Sequence, residues 1–472
     1  MVEDIQVELQ SNEPDVLLGS ISDFGLSPFD HAAIPSPGTG PFDWFDLLAQ
    51  DAINNIQRQG LGGSGPGWNF DESFLSRRQS PVPISRREPQ AHLDLEGQNG
   101  EQGGISESSL TEPWNTSTRI TLHSEELVYF QHYVSAVGPI LDLFDPTKHF
   151  TNIVPHLAVH NVGLLKSLLA VAARHMSLHS GTNDQNEVQT PGSSLSRRAT
   201  DTKTTQMATQ YYYETLQYLS QTLLYPSYTR SFEILATSIM ISTYEMFDTN
   251  GSTNNGDWER HLRGAFWILR SQDNDGESTD GLRQAVWWAW VRQDIWAAFR
   301  EGRRTLTIWR PKKRLVDLNG DELAKRIIYI AAKCVEFAAT EKEEDISKRI
   351  AQGNKLLHAL ENWRCILPPS YQAISTAPSP ASPSMSSSSH LNNLFVPKWI
   401  HPPSYAAAVQ TYHFARIVVL LNQPSLGGLN AYRNRQKMLD ESVEEICGIS
   451  MVEQGKELPS AFVNLQALYA GE

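Results

Sequence analysis

Asn161-Val-Gly-Leu-Leu-Lys-Ser-Leu-Leu-Ala-Val-Ala-Ala-Arg-His-Met-Ser-Leu-His179 decides the fold class. Leu164, Leu165, Leu168, Leu169 and Ala172 recur at helical spacing, and Asn161 stands where an N-cap belongs. Working outward, the same periodicity returns again and again. Upstream, His123-Ser-Glu-Glu126 leads into Leu127, Phe130, Val134 and Val137 on one face, until Pro139 disturbs the pattern. Downstream, helices are predicted over Thr205–Tyr225, Phe232–Phe247, Trp258–Leu269, Leu282–Phe299, Glu322–Ala339, Asp345–Ile366 and Tyr405–Asn422, and from about Arg433 to Glu453. Phe232–Phe247 has almost no polar face, so it belongs at the centre. Strand alternation is almost absent, and no fixed-period repeat appears. The expected fold is all-α, a multi-helix regulatory domain of about ten helices over residues 120–472.

Residues 1–119 read differently. Pro, Gly, Ser and acids dominate, as in Ile34-Pro-Ser-Pro-Gly-Thr-Gly-Pro41 and Gly60-Leu-Gly-Gly-Ser-Gly-Pro-Gly67. Such a segment buries too little apolar surface to offset its ordering entropy, so a disordered acidic arm is predicted. Two further flexible loops are expected, a Ser/Thr-rich one over 180–202 and a Ser/Pro-rich one over 376–393. The net charge is −14, and the first 75 residues hold twelve acidic residues against one basic. The remainder is near neutral and shows no basic stripe, which argues against a folded surface that grips DNA. The three cysteines, Cys334, Cys365 and Cys447, lie far apart and build no disulfide framework, which points to a reducing compartment. Met1–Gln10 lacks the apolar core of a secretory signal, and no apolar run reaches the roughly 18 residues of a membrane span.

Several stretches taken together resemble the fungal-specific transcription factor domain, the regulatory middle homology region of zinc-cluster transcription factors. They are Phe150-Thr-Asn-Ile-Val-Pro155 running on to Leu164–His175, Leu235-Ala-Thr-Ser-Ile-Met-Ile-Ser-Thr-Tyr-Glu245, Trp258-Glu-Arg-His-Leu-Arg-Gly-Ala265, Trp288-Ala-Trp-Val-Arg-Gln-Asp-Ile295, and Tyr412-His-Phe-Ala-Arg-Ile-Val418 with Asn422-Gln-Pro424. The resemblance covers about residues 120–470 and implies a helical domain, a nuclear location and control of transcription. It also departs from the family pattern. No cysteine lies between Met1 and Arg119, so the N-terminal zinc cluster, which takes about six thiolates, is missing. Gln466-Ala-Leu-Tyr-Ala-Gly471 looks like the opening of a helix that continues in the family. Three readings follow. The chain is a co-regulator without the DNA-binding module, acting through the transcription machinery or a DNA-binding partner protein. It is a helical small-molecule sensor, since domains of this type are thought to respond to an effector. Or it is a truncated gene model of a DNA-binding factor. The first is preferred, with no specific DNA binding from this chain itself.

Particular residues carry sharper expectations. Pro41-Phe-Asp-Trp-Phe-Asp-Leu-Leu-Ala49 interleaves aromatics with carboxylates, and Phe42, Trp44, Phe45, Leu47 and Leu48 form the partner-binding anchors of an activation-type motif. The competing reading docks this segment on the chain's own helical domain. Arg77-Arg-Gln-Ser-Pro81 offers Ser80 as a phosphorylation site. Arg310-Pro-Lys-Lys-Arg314 reads as a nuclear import signal through Arg310, Lys312, Lys313 and Arg314, or as a solvated loop. His156 and His160, and His175 and His179, have metal-compatible spacing without a third ligand, so structural roles and no metal are expected. Trp287, Trp288, Trp290 and Trp296 crowd one helix. Trp288, Val291, Ile295 and Phe299 make a core stripe, the alternative being an aromatic-walled ligand cavity. Glu245, Arg292 and Asp294 fall in apolar helices, and a structural ion-pair network is expected of them. The acidic cluster Glu341–Asp345 includes Lys342 and reads as solvated surface, unlike an Asp-rich metal motif. With no phosphate-cradling glycine loop, G-x-S-x-G elbow or H-E-x-x-H motif, no enzyme and no cofactor are expected.

Overall fold

The computed structural model describes residues 115–180, 193–247, 257–307, 309–340, 345–374, 395–452 and 459–471. The arm motif at 42–48, Ser80 and the whole Ser/Pro stretch expected over 376–393 lie outside the described residues. Helices account for nearly all regular structure. Among the described residues, β-structure is confined to isolated bridge positions, the pair Asn115 and Asn161 and a bridge residue at Trp399.

The chain enters on α1 (Ser124–His132). A π-helical turn over Tyr133–Val137 follows, then α2 (Gly138–Leu141). Pro139 has no N–H to give the helix, and the widened turn absorbs this, with Gly138 N–H reaching back to the Tyr133 carbonyl. Two short helices, α3 (His149–Asn152) and α4 (Val154–Ala158), lead to α5 (Val162–Ser180). The start of α5 matches the expected cap: Asn161 Oδ1 accepts the Leu164 N–H at 2.8 Å. Gly163 in its first turn is required by packing, because a Cβ there would sit 1.9 Å from the Tyr218 ring of the next helix.

That next helix, α6 (Ser193–Thr222), differs from expectation. The loop predicted through residue 202 ends by 192, since the helix already runs from Ser193. Ser and Thr give this stretch weak helical propensity, but extending a helix whose later turns are packed costs far less than nucleating one. Helix α7 (Phe232–Phe247) is central as expected and buried on nearly every side. It packs on α5, α6, α8 (Asp257–Ser271) and α9 (Gly281–Glu301). A second layer consists of α10 (Gly320–Ala339), α11 (Ile346–Cys365), α12 (Pro403–Asn422), α13 (Leu429–Val452) and α14 (Ala461–Gly471). Helix α12 is the hub there, lying against α10, α11, α13 and α14.

Helix α9 joins the two groups, touching α7 and α8 on one side and α10 on the other. Its ends are well defined. Asp280 Oδ1 accepts the Arg283 N–H at 2.9 Å at the start. At the finish Gly302, at φ +64°, turns the chain back and lets Arg303 N–H bond Ala298 O at 3.0 Å. One buried cluster runs from Tyr129 to Ala470, so both groups share a core. No helix of the described residues is long and apolar enough to cross a membrane.

Candidate functional site

The polar residues of α9 sit where the two helical groups meet, and each one binds a different element. Trp290 is fully buried toward α8, where its Nε1–H donates to Leu262 O at 3.0 Å and its ring stacks on Phe266. Gln293 faces α7: its Oε1 accepts from Ser242 Oγ and its Nε2 donates to Thr243 Oγ1 at 2.9 Å. Asp294 is fully buried and accepts from Arg303 Nη1 at 3.0 Å and from the Leu306 N–H at 2.6 Å. Arg292 points the other way, donating to Leu141 O at 2.8 Å and lying over the Phe144 ring.

The expected structural ion pairing holds for Glu245 and Asp294 and is corrected for Arg292. Glu245 is held by Tyr212 Oη and His261 Nδ1, away from the other two. Arg292 bonds backbone carbonyls. Asp294 pairs with Arg303, which the Gly302 turn folds back over the end of α9.

The tryptophans form core, as the stripe predicted. Trp288 meets Trp309 edge-on, and Trp309 meets Tyr329 in the same way. The cavity described beside α9 is not walled by these rings. Its volume is about 30 Å³, and Arg292, Ile295, Phe144, Ile328, Phe414 and Val463 contribute to its lining.

Just before α3, the segment that receives Arg292 carries a buried acid. Asp142 accepts the N–H groups of Phe150 and Thr151 at 2.8 and 2.7 Å and the Thr151 hydroxyl at 2.6 Å. Burial pushes its carboxyl up to about 6, against those hydrogen bonds, which pull it down. A folded-state value above the ordinary 3.8 means that the folded protein keeps a proton which the unfolded chain has released. Stability therefore falls as pH rises from about 4 to about 6 and is flat above that window, with this group accounting for on the order of 2–3 kcal/mol. Asp142→Asn should flatten that slope. Thermal melts of wild type and variant at pH 4.5 and pH 7 check this, and an equal pH dependence in both would contradict it.

The basic run lies in the connection between α9 and α10. Arg310, Lys312, Lys313 and Arg314 are all exposed. Lys312 approaches Glu277 at 3.9 Å, Lys313 pairs with Glu322, and Arg314 pairs with Asp317 at 2.9 Å. Exposed pairs of this kind are worth about 0–1 kcal/mol, so an acidic receptor surface can displace them.

His160 and His175 have partners from outside their own pairs. His160 Nδ1 lies 3.2 Å from Thr116 O. His175 instead meets His132, Nδ1 to Nε2 at 2.9 Å, a contact across 43 residues that spacing could not reveal. Among the described residues, no group of three or more His, Cys, Asp or Glu side chains could hold a metal ion.

Taken together, α9 uses its polar side chains to lock helices to one another, and the Arg310–Arg314 run stands exposed on a surface loop. Residues 128–290 match the family model of the fungal specific transcription factor domain, a non-catalytic regulatory module. The match runs from α1 to Trp290 in α9. A domain of this kind is characteristic of nuclear regulatory proteins and supports a regulatory role exercised with protein partners. No curated protein and no solved structure matches the chain.

Proposed function

We propose that the chain is a nuclear transcription regulator whose helical region, 120–472, is one regulatory domain and whose acidic arm, 1–119, recruits the transcription machinery or a DNA-binding partner protein. The match over residues 128–290 carries this reading. The resemblance of Tyr412–Val418 and Asn422–Pro424 to the same family extends it past the matched segment. The shared core from Tyr129 to Ala470 supports treating both parts together. Arg310, Lys312, Lys313 and Arg314 serve nuclear import in this reading, and their exposure on a loop is what a receptor requires. Ser80, beside Arg77 and Arg78, is a phosphorylation site that would exchange local positive charge for a dianion.

In the arm, Phe42, Trp44, Phe45, Leu47 and Leu48 supply the affinity. Apolar anchors gain about 25 cal/mol per Å² on burial, whereas the flanking acids speed encounter and keep the free arm solvated. Tethering residues 1–75 to a heterologous DNA-binding domain should drive a reporter. Replacing Trp44 and Phe45 together by Ala should abolish output, and replacing Asp43 and Asp46 by Asn should only weaken it. An intact arm that gives no output would remove the activation reading. The motif would then be better explained as docked on its own helical domain, and deleting residues 41–49 should lower that domain's melting temperature.

A further inference from the structure

Helix α13 buries one side and leaves the other open. Ser442, Ile446, Gly448 and Ile449 turn inward, and the helix packs on α12 and α14. Its outer side carries Arg433, Lys437, Asp440 and Glu444, all exposed. Their spacing of four, three and four residues puts them in one stripe along the helix. The stripe is divided by sign: its N-terminal half is basic and its C-terminal half acidic. Within one chain this order is unfavourable. Arg433 and Lys437 are like charges at i, i+4, and so are Asp440 and Glu444. Little in the chain offsets it. Among the described residues, Arg433 and Glu444 make no ion pair, Asp440 accepts only the Gln436 amide at 2.8 Å, and Lys437 reaches Glu441 at 4.0 Å.

The pattern is complementary to its own reverse. Arg433 and Glu444 are equally far from the point between Met438 and Leu439, and so are Lys437 and Asp440. A second α13 laid antiparallel about that point places each cation opposite an acid, two on each copy and so four cross-helix pairs. The ends of the stripe also match. Leu429, 63 % exposed in the first turn, falls opposite Gly448. Another segment passes close to α13 at Gly448: a Cβ there would sit 2.6 Å from Val396 O, and Val396 is 57 % exposed. An exposed apolar side chain therefore has an apolar counterpart at each end, outside the charged centre.

We propose that α13 is an interface between two copies of this chain, paired antiparallel about a two-fold axis through its middle. Such an axis presents the same patch from both sides, so residue i meets j and j meets i, which is the relation these charges obey. Arg433 of each copy lies against the second copy's Glu444, Lys437 against its Asp440, and Leu429 against its Val396. A single exposed helix buries less than the roughly 1,200–2,000 Å² of a standard interface, so the dimer is a weak one. The surface belongs to the helical domain, and its use does not depend on the arm's activity.

Sedimentation velocity of the full-length protein, from about 1 to about 100 µM, tests this at about 0.15 M salt, where a screening length of about 8 Å damps repulsion between acidic arms more than contacts at the helices. Wild type should dimerise with a Kd on the order of 10 µM. Arg433→Glu/Lys437→Glu makes the stripe wholly acidic and should weaken the dimer at least about tenfold. Asp440→Lys/Glu444→Lys makes it wholly basic and should do the same. The equimolar mixture of the two variants, one of them labelled at its N-terminus, is the critical sample. It restores all four cross-helix pairs, and a heterodimer should form with about the wild-type Kd. The four positions are exposed, so circular dichroism should show wild-type helix content in both variants. A wild type that stays monomeric at the highest concentration, dimerisation unaffected by either double variant, or a mixture that remains monomeric would each overturn the proposal. Loss of the dimer on reversal of the basic half alone would make an acidic segment such as the arm the occupant, and would overturn it too.

Discussion

Replacing Asp294 by Ala should destabilise the helical domain by about 3–5 kcal/mol, the usual cost of breaking a buried ion pair from one side. Asp294 is fully buried in α9, and both of its oxygens are used, one by Arg303 Nη1 and the other by the Leu306 N–H. Alanine leaves the Leu306 N–H without its acceptor and removes the buried carboxylate from a mostly covered guanidinium that keeps Glu301 at 3.2 Å. Two further variants separate these costs. Asp294→Asn keeps an acceptor and should lose less. In the double variant Asp294→Ala/Arg303→Met the guanidinium is gone, so much of the loss should return. Urea unfolding followed by far-ultraviolet circular dichroism gives the comparison. If Asp294→Ala unfolds at the wild-type midpoint, Asp294 does not anchor the return of the chain after Gly302.

A loss of similar size, about 3–5 kcal/mol, is expected for Trp290→Ala, since the indole is fully enclosed and its removal leaves a large void. The same change removes the Nε1–H donated to Leu262 O and the stack on Phe266, which together hold α8 to α9. Trp290→Phe retains most of the packing and loses the hydrogen bond, so its cost should be smaller. Hydrogen exchange should show α8 losing protection before α12 in the alanine variant. Uniform loss across both helices would mean that Trp290 supports the whole core and not the α8–α9 joint.

Much of the helix layout was legible because helical periodicity and capping are local. The Phe232–Phe247 boundaries agree with expectation residue for residue, and α9 and α10 differ by two residues at most at either end. The cap on α5 was readable for the same reason, since Asn161 reaches a donor only three residues on. Helix α6 was foreseen only from Thr205, because its first turns carry no apolar stripe and depend on the packed turns beyond them. For the candidate site, the residues could be singled out but their partners could not. Glu245, Arg292 and Asp294 were conspicuous as charges in apolar helices, yet nothing nearby in sequence announces Tyr212, Leu141 or Arg303.

The sequence alone therefore determined that this protein is built of helices, which of them is central, and that residues 128–290 match the fungal specific transcription factor domain. Tertiary structure alone decided who meets whom. Arg292 ends on carbonyls some 150 positions away, and His132 finds His175 across 43. The Gly302 turn returns Arg303 to Asp294. The reason is physical: periodicity depends on bond geometry within a few residues, whereas a buried charge takes whatever group the loops and the core bring within about 3 Å of it.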